Sequence, residues 1–258
     1  MPITFPLGSD EAFYRLTTTD SYHLLEFSIA PDNRFTPETC PALVEALTYI
    51  RTECVPLPLI TTSAFPKFYS NGLDFERAIS TPGFFDWGYY AVMRAMLEFP
   101  WPTIALINGH AFAAGFTFAM CHDFRIMNPA KGFLCMNEIE FGAPMPPPMM
   151  EIMRAKAGFK LTQKIMQLGH RFPGKEAFSE GLVDALGGMD EAVQYAEKYQ
   201  KYATAPSYGA IRAELFRTVL DDLYNFPNEE AVSDKIIERQ DAAYEKYYSS
   251  IKANKPKL

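Results

Sequence analysis

A chain of 258 residues, 48% hydrophobic and 21% charged, has the make-up of a globular protein large enough for one substantial core. Its net charge of −7 and pI near 5.2, with no basic cluster, exclude nonspecific attraction to nucleic acid or to an anionic membrane and favour a small-molecule substrate. No apolar run approaches the about 20 residues of a membrane span, the longest being "TIALIN" and "FAAGFTFAMC".

The first residues, "MPITFPLGSDEAF", hold neither an apolar signal core nor an Arg-rich amphipathic pattern, so neither secretion nor presequence-driven mitochondrial import is expected. "YRLTT" and "YHLLEFSI" read as strands. "RFTPETCPALVEALTYIR" reads as a helix with Thr36 as N-cap, Pro37 in first position and Leu43, Val44, Leu47 and Ile50 on one face. "LPLITTSA" is then a buried strand, "FPKFYSNGLD" a loop, "GYYAVMRAMLEF" a helix and "TIALIN" a strand. A second helix runs from about Ala114 to Cys121 before the strand "DFRIM". Strand, helix and strand at this spacing predict right-handed crossovers and a largely parallel sheet, an α/β fold. After "FLCMNEIEFG" and the turn "APMPPPMM" the pattern becomes helical, with "KLTQKIMQLG", "DEAVQYAEKYQKYA" and two long helices from Tyr208 to Lys252 that separate around "NFPNEEAV". Residues 1–190 are thus expected to form the core, and residues 191–258 a helical region used for site closure or oligomerisation. Cys40, Cys54, Cys121 and Cys135 lie far apart without metal-ligand or disulfide spacing and read as reduced, mostly buried thiols, with no metal site expected.

Two loops and one carboxylate carry the chemistry. In "PTIALINGHAFAAGFTFAMC" the residues Gly109, Ala111, Ala113, Ala114 and Gly115 leave little bulk at a strand-to-helix junction, where backbone N–H groups are free to meet a ligand. In "FYSNGLDF" Gly72 permits a turn that presents the N–H of Leu73. Both loops follow strand C-termini and so fall on one edge of a parallel sheet, where two donors can converge on one oxygen. Glu138 in "FLCMNEIEF" is the candidate base, with Met136, Ile139 and Phe141 as apolar neighbours that would raise its pKa by desolvation.

These motifs, with "FPGKEAFSEGLVDAL" further on, resemble the crotonase superfamily, the enoyl-CoA hydratase/isomerase family, over roughly Leu24 to Leu186 in order and spacing. The resemblance implies a crotonase (ClpP-like) spiral of β-β-α units, a homotrimer or homohexamer, and coenzyme A present as part of a thioester substrate, with no other cofactor and no metal. It places an oxyanion hole at the N–H groups of Leu73 and Ala114, and the ligand along Asn71, Gly72, Leu73, Asp74 and Gly115. Ala113 and Ala114 stand where many members have glycines. Hydratases of the family carry a second glutamate at the place of Thr117, and its diene isomerases carry acids at the places of Thr117 and Pro146. Neither acid is present here. A single carboxylate suffices to move a double bond from C3 to C2, and the stretch from "PTIALINGHA" to "CMNEIEFGAP" is most similar to the plant and fungal peroxisomal Δ3,Δ2-enoyl-CoA isomerases.

That reading leaves Glu140 and Glu151 as structural or solvent-facing, and His110 and His122 as packed or hydrogen-bonded rather than catalytic. The stretch "PGFFDWGYYAVMRAM" is expected to be core before it is acyl-pocket wall. The terminal Pro256, Lys257 and Leu258 resemble a peroxisomal tripeptide with proline for serine, which implies an import receptor as partner and a peroxisomal rather than cytoplasmic location. The alternatives are an enoyl-CoA hydratase or another acyl-CoA lyase or hydrolase, and a non-catalytic member that binds coenzyme A esters.

Overall fold

The computed structural model describes residues 2–143, 145–229 and 232–253. It opens with β1 (Ile3–Phe5), β2 (Tyr14–Thr18), β3 (His23–Phe27) and helix α1 (Thr39–Glu53). One pattern then runs three times. β4 (Leu59–Ser63) leads to β5 (Phe68–Ser70), α2 (Phe75–Ser80), a π-helical turn Phe85–Tyr90 and α3 (Ala91–Leu97). β6 (Thr103–Ile107) leads to β7 (His110–Phe112) and α4 (Ala114–Met120). β8 (Phe124–Met127) leads to β9 (Phe133–Cys135), α5 (Glu138–Phe141) and α6 (Pro147–Leu168). β10 (Phe172–Pro173), α7 (Gly174–Ser179), β11 (Ala185–Leu186) and helices α8 (Met189–Tyr199), α9 (Tyr208–Leu215), α10 (Arg217–Glu229) and α11 (Val232–Ala253) follow.

In each repeat the first strand enters a seven-stranded sheet, in order β1-β2-β3-β4-β6-β8-β11, and the second a four-stranded sheet, in order β10-β9-β7-β5. The large sheet is parallel from β3 to β11, and the small one is parallel from β5 through β7 to β9. Strands β2 and β3 alternate buried residues with half-buried or exposed ones, whereas every residue of β4 and β6 is buried. Strands covered on both faces tolerate polar side chains only when these are bonded. Thr61 meets Tyr69 Oη and His122 Nε2 at 2.8 Å each, and Thr62 donates to Leu106 O at 3.1 Å.

The expected α1 begins two residues later than the sequence suggests, but Thr36 still leads it in, its hydroxyl accepting from the N–H groups of Glu38 and Thr39 at 3.2 Å. Leu43, Leu47 and Ile50 are buried as anticipated. Two corrections concern strands. "FYS", expected in a loop, forms β5, and "HAF" forms β7; both are three residues long, too short to show a period in the sequence. The two long C-terminal helices also need correction, because the first breaks at Phe216, whose N–H bonds back to Arg212 O and Ala213 O. That break lets Phe216, Val219, Leu220 and Leu223 enter the core while Arg212, 2% exposed, reaches Cys121 O at 2.7 Å and Asp123 at 3.2 Å. α6 is bent at Gly158 (φ 72°). Cys40, Cys121 and Cys135 are buried free thiols and Cys54 is a half-buried one. No helix among the described residues is long and apolar enough to cross a membrane.

Candidate active site

The two loops meet. Gly72 has φ +85°, and a Cβ built on it would stand 2.9 Å from both Ala113 Cβ and Phe112 O; one built on Gly115 would stand 2.5 Å from Ser70 O. Glycine is what lets β5 and its turn lie against the turn between β7 and α4.

Peptide geometry then aims the donors. The Gly72 carbonyl accepts the N–H of Phe35 at 2.8 Å, and in a trans peptide the N–H of Leu73 points the opposite way. The Ala113 carbonyl is taken at the start of α4 by the N–H groups of Phe116 and Thr117, at 3.0 and 3.1 Å, so the N–H of Ala114 also points away from the helix. No partner among the described residues takes either N–H. The Tyr89 hydroxyl donates to Ala114 O at 2.6 Å and fixes the next peptide plane.

Leu73 and Ala114 line one cavity of about 590 Å³, together with Asn71, Asp74, Ala113 and Glu138. Gly72 and Gly115 stand behind it, one against Ala113 and the other against Ser70. Glu138 opens the short helix α5, which Gly142 closes in the left-handed conformation; it does not end a strand, because β9 stops at Cys135. Its Oε2 is buried with no hydrogen-bond partner among the described residues. Burial raises its carboxyl from 4.5 to about 7, its own backbone N–H pulling the other way. The expected apolar setting has different sources: Met136 is buried, but Ile139 and Phe141 are more than half exposed, and Phe85, Met145 and Met149 supply further apolar lining.

Thr117 is buried outside that lining, its hydroxyl donating to Ala113 O at 3.3 Å, while Pro146 is part of the wall. Glu140 faces Arg171 at 3.5 Å and Glu151 faces Arg154 at 3.7 Å, neither in the cavity. His122 bonds Thr61 and Phe118 O, and burial lowers it to about 3; His110 stacks on Phe133. Of the aromatic stretch, Phe85 reaches the cavity while Phe84, Tyr89, Tyr90 and Met93 are core.

Sequence reasoning missed residues 32–35. Asn33, 2% exposed, donates to Ser63 Oγ at 2.6 Å and Tyr69 O at 3.2 Å and accepts from Ile29 N–H at 2.9 Å. Asp32 binds Asn71 Nδ2 at 2.7 Å and Arg34 Nε at 3.1 Å, and Arg34 is the one cation among the described lining residues. This segment holds the first loop from behind; "PDNR" between a strand and a helix was its only signal. The assembled site can hold an oxygen that gains negative charge on two N–H groups while a poised carboxylate exchanges protons beside it.

The enoyl-CoA hydratase/isomerase family model matches residues 26–222. Enoyl-CoA delta isomerase 3 of Arabidopsis thaliana is 29% identical over 215 residues, covering 78% of this chain and 87% of that protein. The peroxisomal enoyl-CoA delta isomerase 2 of the same plant is 31% identical over 202 residues, covering 72% and 84%. Among solved structures, an enoyl-CoA hydratase from Mycobacterium marinum superposes with a TM-score of 0.73 at 20% identity, covering 83% of this chain and 95% of that one.

Proposed function

This chain belongs to the enoyl-CoA hydratase/isomerase family and has its crotonase fold, and from that premise we propose that it moves the double bond of a 3-enoyl-CoA thioester to the 2-position. The thioester oxygen sits on the N–H groups of Leu73 and Ala114. The Glu138 carboxylate takes a proton from C2, the electron pair spreads over C2, C3 and C4 and onto the oxygen, and the protonated Glu138 returns its proton at C4. The double bond has then moved from C3–C4 to C2–C3, with no atom gained or lost. Each N–H donor is worth about 3 kcal/mol at the dienolate stage, and a carboxyl near 7 suits a group that must both accept and return the proton at neutral pH.

The observation that carries the choice of reaction is the partnerless Glu138 Oε2 in the cavity, with Thr117 outside the lining and its buried hydroxyl bonded to the backbone. Hydration needs a second group to place and deprotonate water. Asp74 and Glu76 also line the cavity and keep a hydratase in contention. Purified protein given 3-hexenoyl-CoA should form the conjugated 2-enoyl thioester much faster than it converts 2-hexenoyl-CoA to the 3-hydroxy product. Rapid 3-hydroxyacyl-CoA formation would overturn the isomerase, and binding of both thioesters without turnover would make the chain a coenzyme A ester carrier.

The coenzyme A end is assigned to the rim formed by Asn71, Leu73 and Asp74, with Gly72 shaping the turn behind it and the Arg34 guanidinium available to a phosphate. The exposed Phe159 and Leu168, 73% and 71% accessible, support assembly into a trimer or paired trimers. A peroxisomal location is supported by the peroxisomal Arabidopsis relative. The proposed address for the import receptor, Pro256, Lys257 and Leu258, lies outside the described residues. A fluorescent fusion that stays diffuse in cells lacking the native copy would overturn that location.

A further inference from the structure

Ala113 is where the three groups of the proposed chemistry meet. Its N–H donates to Cys135 O at 2.8 Å, at the end of the strand that leads into Glu138. Its methyl lies against Gly72, the residue before Leu73. Its carbonyl carbon bears the peptide N–H of Ala114. Its own N–H is taken by Cys135 and its oxygen by Phe116 and Thr117, and the half-buried residue is part of the cavity lining.

The backbone there has φ +50° and ψ −125°, which glycine enters freely and other residues rarely adopt. Among the described residues the other non-glycine residue with positive φ is Asn33, of a type that tolerates it far better than alanine. Hydrogen bonds on both sides and the contact with Gly72 hold Ala113 in place, so its methyl cannot retreat. A glycine would relieve the strain, which leaves the space filled by the methyl as its use.

We propose that the Ala113 methyl is a wall beside C2 of the acyl thioester, making the site selective for chains unbranched at that carbon. The proposal rests on the reading above for where the thioester lies. With its oxygen on Leu73 and Ala114 and its C2 proton toward Glu138, the carbon between them passes over Ala113. A methyl substituent at C2 needs the room that Ala113 Cβ occupies.

The test uses saturated thioesters, so that it does not depend on turnover. Isothermal titration of the wild type with hexanoyl-CoA and 2-methylhexanoyl-CoA should show at least a tenfold preference for the unbranched one. In Ala113→Gly the preference should fall below threefold through tighter binding of the branched thioester, and Ala113→Ser, which restores a side chain of similar size, should recover it. Equal binding of both thioesters by the wild type, or an unchanged ratio in Ala113→Gly, overturns the wall. A wild type that discriminates between the two saturated thioesters yet turns over no 3-hexenoyl-CoA leaves the wall standing and overturns the isomerase reading.

Discussion

Glu138→Gln keeps the shape of the side chain and removes its charge, and its effects on stability and turnover run in opposite directions. Below pH 4.5 both the folded and the unfolded chain hold the proton on Glu138. As pH rises from 4.5 toward 7 the unfolded chain releases it first, so the folded state loses relative stability; above the folded value of about 7 the loss is complete. Raising a carboxyl from 4.5 to about 7 corresponds to about 2 to 3 kcal/mol, the lower figure allowing for the accessible part of the side chain. An amide carries no such penalty. The variant should match the wild type at pH 4.5 and exceed it at pH 8 by that amount, about 5–10 °C in Tm for a chain of this size. Its turnover of 3-hexenoyl-CoA should drop by about 10²–10⁴, while wild-type turnover rises with pH through about 7 as the carboxylate forms. Thermal unfolding at the two pH values and initial rates between pH 5.5 and 8.5 check both halves. A variant less stable than the wild type at pH 8 would refute the burial argument, and near-normal turnover would remove Glu138 from the mechanism.

Gly72→Ala should cost about 3 kcal/mol or more, since the new Cβ would meet Ala113 Cβ and Phe112 O at 2.9 Å from a φ of +85°; denaturant unfolding and a more than tenfold loss of turnover would register it. Asn33→Ala should cost about 2–3 kcal/mol, because the Tyr69 carbonyl and the Ile29 N–H lose a side-chain partner and the Ser63 hydroxyl is left with Phe65 alone, and unfolding at neutral pH measures it. Ala113→Gly should stabilise by about 1 kcal/mol, strain relief exceeding the added freedom of the unfolded chain, seen as a Tm rise of about 2–4 °C.

The parallel strands of the large sheet were legible because β4, β6 and β8, four or five residues each, alternate along the chain with helix-length segments. The small sheet was not, since β5, β7 and β9 carry three residues each and take their pairing from the first sheet's turns. Glu138 was identifiable from its motif, but not its place on α5 or the cavity's apolar lining: Phe85 comes from an element remote in the chain, and Met149 from the next helix, which folds back over the site. The supporting role of Asp32 and Asn33 was illegible for the same reason, their partners being Asn71, Ser63 and Tyr69. The break at Phe216 follows from tertiary contact, as the local sequence holds neither glycine nor proline there.

The two donors are main-chain groups, each aimed by a carbonyl bonded on the far side of its own peptide: Gly72 O to Phe35, and Ala113 O to the first turn of α4. Alanine scanning is therefore blind to them, because every residue placed at 73 or 114 brings the same N–H except proline. A side-chain change at 73 or 114 that the packing accepts leaves both donors in place, Ala114 being fully buried and Leu73 packed against the core. The groups that anchor the two carbonyls are main-chain N–H groups as well, those of Phe35, Phe116 and Thr117, so amide-to-ester replacement at 73 or 114 is the chemical edit that would expose the donors themselves.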